Sequence, residues 1–212
     1  MRTILLVLLV AAMQSPLHAQ NKSAKKVLDR LSEKYEAYQS FEITFDLEIL
    51  YPERAPQKQK AQIIQADQRF KFISEEQDII GDGEDVYLFL KERNEVQIND
   101  FDDDDELGLM TPKDLLKEYE SGRFEYDLEN ETDNEIFIVF KPLDRDSEFF
   151  KYRIAIDKER EDFAKIDAFS KDGSRLLVTI ATSTYNEEYS DQFFSFDTSL
   201  YPGIRIEDLR ID

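Results

Sequence analysis

The sequence predicts an α+β, mainly β domain: about eleven antiparallel strands curled into a closed or nearly closed half-barrel with helices over its mouth. Three observations lead there. Apolar and polar residues alternate in one short segment after another, the period of a half-buried strand. The connections between those segments are too short for crossover helices, so neighbouring strands must run antiparallel. Only two stretches carry helical spacing. So many strands in one domain exceed what a flat sheet with one covered face accommodates, and a curled sheet can enclose a cavity.

The chain opens with Met1, Arg2 and Thr3, a short positive start, followed by an apolar run over residues 4–13. That run is too short to span a bilayer as an uncleaved anchor and fits the central region of a signal peptide. Residues 14–19 break it and end on a small side chain, so cleavage is expected after Ala19, with Leu17 an imperfect residue at the third position before the cut. No cysteine follows to take a lipid anchor. The expected organisation is a signal peptide over 1–19, a single domain over 20–212, and export to a periplasm.

A helix is predicted over 22–38, with Val27, Leu28, Leu31, Tyr35 and Tyr38 on one apolar face. The period then changes to two. Phe41, Ile43, Phe45, Leu47 and Ile49 alternate strictly with polar residues, placing them on one side of a strand. Further strands are expected at 61–65, 69–74, 77–80, 86–90 and 95–99, separated by turns such as Gly81-Asp82-Gly83. Residues 100–106 are acidic and read as a solvated loop; they lack the glycine and distal glutamate of an EF-hand. Thr111 caps a second helix that has Pro112 in its first turn and ends at Ser121-Gly122, with Leu115, Leu116 and Tyr119 along one side. Strands follow at 123–128, 135–141, 150–156, 164–170, 176–182 and 192–196, with a hairpin turn at Lys171-Asp172-Gly173-Ser174.

Composition removes much chemistry. There are no cysteines, and the one histidine, His18, falls in the expected signal. Thiol nucleophiles, serine–histidine pairs, disulfides and cysteine–histidine zinc sites are therefore excluded from the mature chain. No enzyme activity, cofactor or metal is expected. Gly81-Asp82-Gly83 is no phosphate loop, since no helix with a lysine follows it. The Asn130-Glu131-Thr132 sequon is read as coincidence. A net charge of −20 disfavours nucleic acid and anionic headgroups as partners. Sixteen Phe and ten Tyr without a Trp is a heavy aromatic load for so polar a chain, and it must line a solid core or a cavity.

Several segments together resemble the outer-membrane lipoprotein carrier family, LolA. They are the amphipathic helix leading into Tyr38-Gln39-Ser40-Phe41-Glu42-Ile43-Thr44-Phe45; Arg69-Phe70-Lys71-Phe72; Asp82-Gly83 and the strand through Val86, Tyr87, Leu88 and Phe89; and Asn94 to Ile98. Thr111-Pro112 before a helix, Lys141-Pro142 after a strand, Tyr201-Pro202-Gly203 and Asp208-Leu209-Arg210 complete the ordered set. The resemblance implies an incomplete, unclosed antiparallel barrel with an α-helical lid over a hydrophobic cavity. It further implies a monomeric carrier of lipoprotein acyl chains between an inner-membrane exporter and an outer-membrane acceptor. The same fold would also serve a periplasmic lipoprotein sensor or regulator, or a carrier of another lipid such as a glycolipid or fatty acid. One departure stands out: where the family has a lid-latching arginine, this chain has Ala66, and Arg69 does not take that role without supporting geometry.

Burying a methylene is worth about 0.8 kcal/mol, so an acyl chain of roughly fifteen carbons gains about 12 kcal/mol by staying dry. The expected lining is Phe41, Phe45, Leu47, Ile49, Phe70, Phe72, Tyr87 and Phe89, with Leu115, Leu116 and Tyr119 on the lid. A charge at Phe72 separates cavity from core. If the ring faces a cavity, Phe72→Glu abolishes acyl binding with the fold intact; if it sits in a solid core, circular dichroism will show global unfolding.

Overall fold

The computed structural model describes residues 17–101 and 111–210. The expected signal peptide lies outside the described residues except at its end, and the expected acidic loop lies outside them from residue 102 onward. Helix α1 spans Leu17–Glu36 and leads into β1 (Ser40–Leu50), β2 (Gln57–Ala66), β3 (Arg69–Ser74), β4 (Gln77–Gly81), β5 (Asp85–Leu90) and β6 (Glu95–Asp100). Helix α2 (Pro112–Glu120) precedes β7 (Phe124–Glu131), β8 (Glu135–Pro142), β9 (Phe149–Asp157), β10 (Asp162–Ser170) and β11 (Arg175–Tyr185), and a last short strand, β12, covers Arg205–Asp208. The twelve strands form one sheet in the order β12-β6-β5-β4-β3-β2-β1-β11-β10-β9-β8-β7. Its two end strands do not pair with each other, so the barrel is unclosed.

Local chemistry accounts for the helix start at α2. Thr111 accepts from the backbone N–H of Asp114 while the Asp114 carboxylate accepts from the Thr111 N–H at 2.9 Å, a reciprocal cap, and Pro112 occupies a position whose N–H would be unpaired anyway. At the sheet's open edge, β7 carries Glu125, Asp127, Glu129 and Glu131 on alternate positions, a run of charge that discourages pairing with another chain. Arg153 of β9 and Lys158 just beyond it bridge to Glu129 and Glu131, each at 2.5 Å.

Two expectations change. Residues 192–196 form no strand; Asp191–Phe194 is a single 3-10 turn lying against the outside of the sheet, with Phe194 fully buried. Its aromatic spacing reflects anchoring onto a finished sheet. In its place the chain adds β12, which runs parallel to β6 with Arg205 opposite Glu95 and Asp208 opposite Ile98. Four residues with Ile206 exposed give no alternation to read in advance.

Register sorts the side chains into two faces. Phe45 of β1 lies opposite Ala61 and Ile180, Ile63 opposite Phe72, and Phe72 opposite Ile79, so one apolar stripe crosses from β11 to β4. It continues the other way through Val178, Ile166, Ile154 and Ile138. This inner face makes the main core together with α1 and α2. The outer face is polar over β1 and β11, but over β2 to β6 it carries apolar patches covered by residues 189–201. There Phe194 packs with Ile64 and Ala66, and Phe196 with Tyr87 and Phe89.

Gly81 is tightly packed on the inner face. It pairs with Phe70, and a Cβ added to it would sit 2.2 Å from the ring's Cε1. Gly81→Ala must push a buried ring aside, so a loss of about 1–3 kcal/mol is expected from urea unfolding. A midpoint equal to that of the parent protein would contradict this packing.

Candidate functional site: a covered apolar face

The site that the fold builds is the inner face and its helical cover. Alternation along each strand delivers one apolar side chain every second residue, and the antiparallel register aligns these across strands. Phe45 and Phe72 stand with ring centroids 6.4 Å apart near the middle of the first half. In the second half Phe124, Tyr126 and Tyr152 surround Phe140 or each other edge-on or tilted, at 5.8 to 6.0 Å. Helix α1 lays Ala24, Leu28, Leu31 and Tyr35 onto this face, and α2 lays Leu115, Leu116 and Tyr119. Asp29 of α1 accepts a hydrogen bond from the Tyr119 hydroxyl at 2.7 Å, tying the two helices together.

Of the side chains expected to line a cavity, Phe41, Phe45, Leu47, Phe70 and Phe72 lie on the inner face and are buried; Ile49 shares that face by register and is half-buried. Leu115, Leu116 and Tyr119 are buried beneath α2. Tyr87 and Phe89 lie on the opposite face. Leu88 is the residue of β5 that pairs with inner-face Ile79, whereas Tyr87 pairs with Ile80 and Phe89 with Asp78. Their rings pack on Phe196 and Tyr201, with Phe89 4.4 Å from Tyr201. Because Val86 to Leu90 is apolar at every position, alternation could not select its inward face; the register did.

Sequence reasoning also placed all of its candidate wall in the first half of the sheet. The structure adds Ile138, Phe140, Tyr152, Ile154, Ile166 and Val178 from the second half to the same face. The signal was weaker there: Ile136 to Phe140 is apolar at every position, and 152–156 has only Arg153 to mark an outward side, so neither shows the strict alternation of 41–49. Helix α1 likewise proves as much a cover as α2.

Ala66 points to the outer face under Phe194, away from both helices. Arg69, its cross-strand partner, ion-pairs with Asp191 and stacks its guanidinium 5.2 Å from the Phe194 ring. Arg69 therefore pins the outer segment, and neither position can hold the helices.

Phe72, at the centre of the inner face, is 3% exposed and lies against Phe45, so Phe72→Glu is expected to unfold the protein. Two hollows lie at its margins. One, of about 440 Å³, runs between α1 and the ends of β8 and β9; its floor is Val27, Leu31, Ile136 and Ile156 and its rim Arg30, Glu33, Lys34, Asp157, Lys158 and Glu161. The other, about 340 Å³, is lined chiefly by outer-face residues of β1 to β3, including Thr44, Asp46, Lys60, Gln62 and Ile73. The first falls within the usual size of ligand sites and has an apolar floor. Among the described residues no group of three or more carboxylates could hold a metal ion.

The family model for outer membrane lipoprotein carrier protein LolA matches residues 63–197, more than half of the chain. No curated protein matches. An uncharacterized conserved protein from Thermus thermophilus has the same fold, with a TM-score of 0.56 at 11% identity over 88% of this chain and 99% of its own. A LolA superfamily protein from Nitrosomonas europaea aligns at 14% identity over 82% of this chain and 97% of its own, with a TM-score of 0.43. The MucA/MucB complex of Pseudomonas aeruginosa aligns at 14% identity over 83% of this chain and 62% of that one, with a TM-score of 0.41.

Several tyrosines hold their protons unusually tightly. Burial, and then the Asp162 carboxylate, pushes the Tyr35 hydroxyl far above its ordinary 10.0. Burial and the bond to Asp29 do the same for Tyr119. Burial with Asp82 and Asp85 lifts Tyr87 to about 12, and burial with Glu42 lifts Tyr189 to about 12. Above pH about 10 the folded protein thus binds more protons than the unfolded chain, and stability falls as pH rises from there through 12. Absorbance at 295 nm should show these rings ionising only together with a cooperative loss of circular dichroism. A smooth titration of all ten tyrosines near 10, with the fold intact, would refute the packing described.

Proposed function

The chain belongs to the outer membrane lipoprotein carrier family, LolA, and from that membership we propose that it is a periplasmic carrier that shields lipoprotein acyl chains in transit from the inner to the outer membrane. The observation that supports this most is an apolar face spanning nearly the whole sheet that is closed by two helices and not by further strands. Strands would be held by a ladder of backbone hydrogen bonds; a helix resting on a sheet is held by side chains and can be exchanged for another apolar body.

The magnitudes favour such an exchange. Burying a large apolar side chain is worth about 1.5–3 kcal/mol, so Leu28, Leu31 and Tyr35 together hold α1 in place by about 5–9 kcal/mol. An acyl chain of about fifteen carbons gains about 12 kcal/mol from the same surface. The two differ by about 3–7 kcal/mol, well below the full gain of the acyl chain, which favours loading while leaving the cargo releasable. A surface of net charge −20 lets the loaded protein leave anionic membranes, and no described helix is long and apolar enough to cross one. The partners of such a carrier are an inner-membrane exporter and an outer-membrane acceptor. The protein is a binding protein in this reading, acting as a monomer and without turnover.

Mass spectrometry of material extracted from the protein purified from its own periplasm tests the proposal. Acylated lipoproteins or their N-terminal lipopeptides are the expected guests. Recovery of a glycolipid or free fatty acid alone would reassign the cargo, and consistently lipid-free protein that also fails to take up lipopeptide would overturn the carrier reading.

A further inference from the structure

The end of α1 is fastened to the sheet by one buried carboxylate. Asp162, the first residue of β10, is 4% exposed. Its Oδ1 accepts from the Tyr35 hydroxyl of α1 at 2.7 Å and from the Phe163 N–H at 2.8 Å, and its Oδ2 accepts from the Tyr185 hydroxyl of β11. The Lys34 ammonium approaches Oδ2 at 3.5 Å and donates to the carbonyl oxygens of Glu161 at 2.9 Å and Arg160 at 3.2 Å. Glu161, in the left-handed region at φ 49°, turns the chain so that these acceptors face one ammonium. Arg30 adds an exposed pair to Glu161 at 3.2 Å.

The charged part of this cluster borders the 440 Å³ groove. Lys34, Arg30 and Glu161 are on its rim, and Leu31 and Ile156 on its floor are also members of the buried inner core. The groove and the interior thus share part of their apolar lining, with α1 lying against both. Within the described residues α1 is joined to the sheet only at its C-terminal end, through residues 37–39, whereas α2 is held between β6 and β7. Of the two covers, α1 is the one that borders the groove.

Resting on the carrier reading, we propose that this groove is where an acyl chain enters, and that Asp162, with Tyr35 and Lys34, is the clamp that sets the angle of α1 and so holds the entrance shut. Asp162 is a positioning residue: it acts on the guest through α1. A chain sliding over Val27, Leu31, Ile136 and Ile156 would displace α1 from the inner face, leaving its polar end at the charged rim.

The test compares Tyr35→Phe and Asp162→Asn with the parent protein, by amide hydrogen exchange and by the association rate of cis-parinaric acid, a fluorescent fatty acid. Losing a hydrogen bond to a carboxylate should raise exchange across residues 24–36 by about tenfold or more, with β9 to β11 unchanged. Probe association should accelerate in parallel, and Ile136→Trp, which fills the groove, should slow it. If exchange in α1 is unchanged in both variants, or if the strands open in step with it, the clamp is refuted. If α1 opens faster yet no protein takes up the probe or an acylated peptide, the clamp stands and the carrier reading falls. Unaltered uptake in Ile136→Trp refutes the entrance.

Discussion

The rest of the structure depends on the sheet's failure to close. Twelve strands twist far enough to make an inner face, but β12 and β7 end without pairing with each other. An open sheet with one largely apolar face needs a cover, because leaving that face wet would expose a large apolar surface to water. Here the cover is helical. Helices satisfy their own backbone hydrogen bonds, so they contribute only side chains to the interface and can leave without stranding backbone donors and acceptors. A closed barrel of the same strands would be a permanent core.

Both faces of the sheet are partly apolar, which resolves the aromatic load. One group of rings, including Phe45, Phe72, Phe140 and Tyr152, belongs inside with the helices. A second group, Tyr189, Phe193, Phe194, Phe196 and Tyr201, belongs to the chain after β11 and seals the outer surface of β2 to β6. The outer seal is bolstered by cations lying on rings: Arg69 over Phe194 and Lys71 over Phe193, the latter at 4.5 Å. The two layers do different work. The outer one stiffens half of the sheet, so that movement on the inner side need not bend the wall.

Polar contacts are sparse on the inner side and gathered where α1 ends. Asp162 takes four hydrogen bonds that link α1, β10 and β11 at a single carboxylate, and Tyr38 stacks flat on Tyr185 at 4.0 Å beside it. Apart from the bond from Tyr119 to Asp29, α1 otherwise rests on apolar side chains such as Leu28 and Leu31, contacts that any hydrocarbon could replace. Hydrophobic contact is indifferent to its partner's identity, whereas a hydrogen-bonded carboxylate requires a particular geometry. This division lets one surface be exchangeable while the orientation of its cover is fixed.

The sequence by itself determined the mainly β class, the antiparallel meander, both helices and the inward set of β1, because strict alternation and short connections leave no other arrangement for those segments. It also foretold the α2 start at Thr111 and Pro112, which are adjacent in the chain, whereas the reciprocal bond with Asp114 appeared only in the structure. Only the tertiary structure decided the side to which Tyr87 and Phe89 turn, since a strand apolar at every position has no preferred face until its neighbours fix the register. Likewise Phe194 reads as strand by its composition but becomes a plug because the outer face of β2 offered a hole. The clamp at Asp162 was illegible for the simplest reason. Tyr35 and Asp162 are 127 residues apart, and among so many carboxylates nothing in the chain marks the one that folding buries.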